Sequence, residues 1–219
     1  MKLDDEYFRR LYAASDDPWQ HRTRWSEQRR RSLIVASLPR QRYRTAFEVG
    51  CANGELSAAI APRVDRLIAC DISRAAVRLA SERLARFEHA RADLMLAPQD
   101  WPSIKFDLIV ISEMAYYLEP SKLQRLISRA RESLEANGTL VLCHSRHPVT
   151  GFTLDGNDVH REFTAALLNG PLRRIVRHSE PDLLLDVWSG QTVAATEAVE
   201  TSASHPTPLI ADYGQRNAN

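Results

Sequence analysis

Between Thr45 and His144 short apolar runs alternate with longer amphipathic segments, the pattern of strands and crossover helices in a parallel sheet. Strands are predicted at Thr45–Val49, Arg66–Cys70, His89–Ala92, Phe106–Ile111 and Thr139–His144. Helices are predicted at Glu55–Ala61, Ser73–Phe87 and Ser121–Ala136, with Ser73 and Ser121 as N-caps and Asn137-Gly138 as a C-cap. A further helix is expected near Val159–Leu168, and Leu172–Arg177 and Asp182–Trp188 flank Ser179-Glu180-Pro181 as an antiparallel hairpin. The pattern is α/β: a Rossmann-like, mostly parallel seven-stranded sheet with an antiparallel terminal hairpin and helices on both faces.

Residues 1–40 read as a helical N-terminal extension, 41–189 as the α/β domain, and the Thr/Ser/Ala/Pro-rich stretch 190–219 as a flexible tail. Asp17-Pro18 looks like a helix start, and Ser26 like the cap of a helix that runs to Leu38 and stops at Pro39. Trp19 and Trp25 are interleaved with Arg22, Arg24, Arg29, Arg30 and Arg31. Two readings stand: a solvated helix face with aromatic anchors on the core, or a lid that closes over a ligand.

Composition narrows the class. The 219 residues suit one domain, and 44% hydrophobic with 26% charged residues is ordinary for a soluble globular chain. No apolar run is long enough to span a bilayer, and the acidic start is unlike a signal peptide, so a cytoplasmic protein is expected. Cys51, Cys70 and Cys143 sit within or beside apolar runs without CxxC spacing and read as buried free thiols. A net charge of +1 makes no general case for nucleic acid or membrane.

The most specific chemistry lies in Glu48-x-Gly50-x-Ala52-x-Gly54, followed by Asp71 at the end of the next strand. Glycines let the backbone turn sharply and approach a ligand, and an acid one strand later suits ribose hydroxyls, so a nucleoside-type cofactor is indicated. An oxidoreductase would prefer Gly-x-Gly-x-x-Gly, a spacing that Ala52 and Glu55 do not satisfy. The order of these elements, with Asp93 after the third strand and Ser112-Glu113 ending the fourth, resembles that of class I S-adenosylmethionine (SAM) methyltransferases. The resemblance implies that Gly50, Cys51, Ala52 and Gly54 hold the amino acid part of the cofactor, with Glu48 organising the turn or holding the ammonium group. It further implies that Asp71 binds the ribose, Ile72 covers the adenine, and Asp93 beside Leu94 accepts from the adenine amino group. Ser112 and Glu113 would face the sulfonium, and Trp19 would close from the extension.

Ser15-Asp16-Asp17-Pro18-Trp19, Glu48 to Gly54 with Ala61-Pro62, and Phe106 to Leu118 together look like the rhizobial nodulation N-methyltransferase (NodS) family, over roughly residues 12–189. That family methylates the amine freed by deacetylation of a chitooligosaccharide, so the resemblance implies an amino sugar or another small primary amine as acceptor. Cys143 to Phe163 departs from the family's pattern, and acceptor specificity is expected there.

Methyl transfer to an amine needs alignment and removal of a proton. Glu113 is the first candidate to orient the amine and take that proton, the alternative being a brace for the cofactor loop. His147 is the second catalytic candidate, His144 a structural or substrate contact, and His160 and Asp158 candidates for sugar hydroxyls. Of Tyr116 and Tyr117, one is expected in the core and one against sulfonium or sugar. No metal-ligand spacing is present. O-methylation, RNA as acceptor (from the basic residues between 22 and 44) and a non-catalytic SAM-binding module remain alternatives, although no Asn/Asp-Pro-Pro-Tyr stretch follows the fourth strand.

Overall fold

The computed structural model describes residues 5–190, so the expected tail, apart from Gly190, lies outside the described residues. Two N-terminal helices, α1 (Asp5–Ala14) and α2 (Trp25–Ala36), precede β1 (Tyr43–Val49), α3 (Glu55–Ile60), β2 (Val64–Asp71), α4 (Arg74–Leu84), β3 (Ala90–Leu94) and β4 (Phe106–Ser112). Then follow α5 (Pro120–Ser133), β5 (Leu134–Ser145), α6 (Gly156–Leu167), β6 (Arg173–Ser179) and β7 (Leu183–Ser189). The seven strands are ordered β3-β2-β1-β4-β5-β7-β6, parallel except for β7, which runs antiparallel between β5 and β6.

That order reverses between β1 and β4, where an open α/β sheet forms a crevice beyond its carboxyl ends. Val49 pairs with both Cys70 and Ile111, so the Gly50 turn, Asp71 and Ser112-Glu113 emerge at one level of one edge. The alternation of each central strand buries both faces. Phe47, Ile109, Leu142 and Trp188 pack under α5 and α6, while Tyr43, Leu108, Val110 and Val141 pack with Ile34 of α2 and Ile60 of α3. Each such side chain contributes about 1.5–3 kcal/mol by leaving water.

Several local expectations change. No helix begins at Asp17-Pro18; Asp17 instead accepts from the backbone N–H groups of His21 and Arg22 at 2.8 and 3.0 Å, closing a turn. Arg24, not Ser26, is the N-cap of α2. Glu119 caps α5 and Pro120 opens it, because proline's missing N–H costs nothing in the first turn. Asn137-Gly138 ends no helix. It lies inside β5, which pairs with β4 from Leu134 onward across an irregularity, so sheet pairing overrides the local C-cap signal. Ser73 does cap α4, accepting from the Ala76 N–H.

Candidate active site

A cavity of about 460 Å³ occupies the crevice between β1 and β4 and is roofed by α1, α2 and the turn between them. Its floor is residues 50–53 of the turn that ends at Gly54, with φ of +79° at Gly50, +47° at Ala52 and +78° at Gly54. These left-handed values explain the two glycines, since a side chain is costly there. The turn is tied down by Gly50 and Cys51 N–H groups donating to the Cys70 carbonyl at 2.9 and 2.8 Å. Asp71 holds it from the next strand, one carboxylate oxygen accepting from Ala52 N–H at 3.0 Å and the other from Ser73 N–H at 2.9 Å. Burial pushes the Asp71 carboxyl up, against the pull of these backbone N–H groups.

Glu48 lies just below the turn, buried but lining the cavity, and accepts from the Ser57 hydroxyl at 2.5 Å. Burial pushes its carboxyl up to about 8, with Ser57 pulling down and Asp71 pushing up. Ile72 lines the far wall with Met95, Leu96 and Ala97. Cys51, Ala52, Asp71, Ser112 and Trp19 also face the cavity. Gly54, Asp93 and Leu94 do not: Gly54 starts α3 against Ala80, Asp93 is paired with Arg91 at 2.7 Å, and Leu94 is exposed. The wall expected from Asp93-Leu94 is built instead by the residues that follow them, because β3 extends through Leu94 and turns inward only afterwards.

Opposite the turn stands Glu113, in the left-handed region with φ of +54°. Its backbone N–H donates to Cys143 carbonyl at 3.0 Å, and its carboxylate accepts from Ser145 N–H at 2.5 Å and from the Tyr116 hydroxyl at 3.0 Å. Arg30 of α2 reaches the same carboxylate at 3.0 Å and Glu27 at 2.8 Å, while Glu27 meets His21 at 3.1 Å. Burial pushes the Glu113 carboxyl up, partly offset by Arg30, Ser145 and Tyr116. His147 lines the exposed side of the cavity, its backbone bonded to Ser145.

His144 and His160 form a separate buried chain, His144 Nδ1 at 3.2 Å from His160 Nε2 and His160 Nδ1 at 2.7 Å from Asp186. Burial holds His144 well below the usual imidazole range, aided by its neighbour His160. Asp158 belongs to the capping box that starts α6. The expected sugar contacts at His160 and Asp158 are therefore corrected: both serve the fold away from the cavity. Tyr116 and Tyr117 both line the cavity and both are buried.

Sequence reasoning gave no role to Tyr12, Asn53 or Glu27 and named Arg30 only within the arginine cluster of the lid reading; all four are on the cavity wall. The i, i+4 spacing of Phe8 and Tyr12 was a signal for an aromatic face on α1. Tyr12 OH and Asn53 Oδ1 are buried polar atoms without a hydrogen-bond partner among the described residues, as expected of groups awaiting a polar ligand. No group of three or more His, Cys, Asp or Glu among the described residues is placed to hold a metal. No helix among them is long and apolar enough to cross a membrane.

A left-handed turn after β1, an acid ending β2, an acid after β4 and an antiparallel β7 together define the fold of the class I SAM-dependent methyltransferases. Comparison with known proteins makes the assignment narrower. Residues 4–179 match the family described as Nodulation protein S (NodS), and the chain belongs to that family. Nodulation protein S of Sinorhizobium fredii is 31% identical over 145 residues, covering 66% of this chain and 64% of the relative; that of Rhizobium tropici is 29% identical, covering 61% and 57%. The chain thus spans somewhat less than two thirds of the length of these two relatives. Among solved structures, a candidate methyltransferase from Pseudomonas syringae is 46% identical with a TM-score of 0.65, covering 76% of this chain and 99% of that one. The N-methyltransferase NodS from Bradyrhizobium japonicum, in complex with S-adenosyl-L-homocysteine (SAH), is 26% identical with a TM-score of 0.74, covering 84% and 96%.

Proposed function

We propose that this protein transfers a methyl group from SAM to a primary amine of a small molecule, as the N-methyltransferase and nodulation names of its relatives support, the free amino group of a deacetylated chitooligosaccharide being the acceptor that the family resemblance implies. The observation that carries the reading is Glu113, a partly buried carboxylate held at the cavity by Arg30, Tyr116 and Ser145, across from the cofactor turn. An acid fixed there suits an acceptor that must lose a proton, and the absence of Asn/Asp-Pro-Pro-Tyr after β4 favours a small molecule over nucleic acid.

The cavity's donor set fits the cofactor. The turn at Gly50, Cys51 and Ala52 would receive its amino acid part, and Glu48, just below and lining the same cavity, is the acid that would give up its proton to meet a cationic ammonium. Asp71 takes the ribose hydroxyls, and Ile72 with Met95 covers the adenine. Tyr12 OH and Asn53 Oδ1 gain partners. Bound there, SAM supplies an electrophilic methyl group on a positively charged sulfur. Glu113 orients the amine through its lone pair and accepts the proton, Tyr116 keeps that carboxylate in place, and Trp19 with Tyr117 excludes water. His147, on the open side, meets the acceptor rather than the cofactor. A cytoplasmic reaction fits this reading, since SAM is available there.

Incubation with SAM and either glucosamine or a deacetylated chitooligosaccharide, with mass detection of product, tests the reading. Addition of one methyl group to the amine is expected. Glu113→Gln should lower kcat by about 10²–10⁴-fold while leaving SAH affinity within a few-fold. Methylation of RNA alone, or an unchanged kcat in the variant, overturns it.

A further inference from the structure

Glu113 is not the whole of the cavity's acid–base chemistry. Its Oε2 meets the Tyr116 hydroxyl and Arg30 Nη1, and its Oε1 the Ser145 N–H, so three donors already occupy it. The same Arg30 Nη1 donates to Glu27 Oε2 at 2.8 Å, and that oxygen lies 3.1 Å from His21 Nδ1. His21, in the turn between α1 and α2 and itself part of the cavity lining, is therefore joined to Glu113 through two side chains. Its ring is held in place. Glu27 takes Nδ1, Asp17 accepts from the backbone N–H at 2.8 Å, and the Trp19 ring lies alongside with centroids 5.7 Å apart.

A carboxylate only accepts, so Nδ1 carries the hydrogen of its bond to Glu27 and the neutral ring keeps its lone pair on Nε2. Among the described residues no hydrogen bond or ion pair engages Nε2. The side chain is 19% exposed, which lets it exchange protons with water. Burial pushes the Glu27 carboxyl up, but His21 and Arg30 outweigh it and hold the group below the usual carboxylate range, so a negative charge stands behind the ring. The other charges nearby are Asp17 and Arg22 in the same turn and Arg24, Arg30 and Arg31 on α2 or at its start. Arg22 is taken up by Asp17, Arg30 by Glu113 and Glu27, and Arg31 by Glu55 and the His21 carbonyl. Amines of the α-amino kind titrate near about 8, so at neutral pH most of such an acceptor arrives as ammonium, without the lone pair that attack requires. The reading above gives Glu113 the proton that the nitrogen sheds as it gains the methyl group. The entering ammonium has an earlier one to lose. We propose that His21 Nε2 is the general base that takes this first proton and delivers a free amine to Glu113. The proposal rests on the amine reading above. The N–H bond breaks, its electron pair stays on nitrogen, and the imidazolium formed is paired with Glu27. That pair then bonds to the methyl carbon as the carbon–sulfur bond breaks onto sulfur, and the ring returns its proton to water.

Native protein and His21→Gln are compared on glucosamine from pH 6 to 9, with mass detection of product. At pH 7 the variant's kcat/KM should fall about tenfold, and at pH 9, where the amine is unprotonated without help, it should come within about two- or threefold of native. A merely structural role gives no such convergence. Melting temperature and SAH affinity should stay near native, since glutamine can still donate to Glu27. In His21→Ala, added imidazole should restore part of the rate at pH 7 while leaving the native rate unchanged. No deficit in His21→Gln, or one that is constant across the pH range and not relieved by imidazole in His21→Ala, overturns the role of His21 and leaves the amine reading standing. A large loss of SAH affinity without the pH dependence also overturns it, by putting His21 against the cofactor. If native protein methylates no amine, the amine reading fails and this base with it.

Discussion

No cation pairs with Glu48 among the described residues, and burial pushes its carboxyl up to about 8. In the unfolded chain the same group titrates near 4.5. The folded state therefore binds the proton more tightly, and this group's contribution to stability is fully present below 4.5 and is lost as pH rises towards 8. The slope from one such proton is about 1.4 kcal/mol per pH unit across that window. Urea unfolding of cofactor-free protein at pH 5, 6.5 and 8 should show the decline, and Glu48→Gln should remove it. A variant that kept the whole slope would assign it to another group. Glu113 is strained in its backbone. A non-glycine residue at φ of +54° stores about 1–3 kcal/mol, and the three groups that hold its carboxylate keep it there.

At the level of elements, α2 does more than cover the sheet. Arg30 is the link, since it joins Glu27 on its own helix to Glu113 at the end of β4, in a largely buried place. Removing one partner from such a network leaves unpaired buried charge and costs about 3–5 kcal/mol. Arg30→Met should therefore lower stability by that amount in urea unfolding, and adding Glu113→Gln should return part of it. Equal losses in the single and double variants would mean that the two residues are not coupled. Much of the sheet was legible in the sequence because strands that are buried on both faces read as unbroken apolar runs. Element ends were less legible where long-range pairing decides them, as at Asn137-Gly138. Of the candidate site, the residues after β1, β2 and β4 were legible because turn chemistry and strand ends mark them locally. Arg30 and Glu27 were hidden in an arginine-rich segment whose pattern resembles a solvated face. Only the packing of α2 over the crevice distinguishes Arg30 from its neighbours. Asp93 was misplaced relative to the cavity for the opposite reason: its position in the order of motifs was right for a wall that the chain builds one step later.

For the whole molecule, α1, α2 and the strand ends meet around one cavity, so a ligand there should stabilise the fold as a unit. SAH at a hundred times its Kd should add about 2.7 kcal/mol and raise the melting temperature by about 5–10 °C. Asp71→Asn should shrink that rise at the same ligand concentration; an undiminished rise would show that Asp71 does not hold the ligand. The Gly50 turn touches the other half of the site directly. A side-chain carbon added at Gly50 would come within 2.6 Å of the Met114 Cβ, next to Glu113. The two ends of the reaction are thus not separate modules that can drift independently. Descendants of this sequence can vary the exposed lining at Arg24 or Asp182 and so change the molecules that enter. A bulkier residue at 50, or a branched one at 114, would disturb cofactor and acceptor in the same step. Diversification in such a lineage should accordingly accumulate at the outer edge and in the helices, while this pair changes rarely and together.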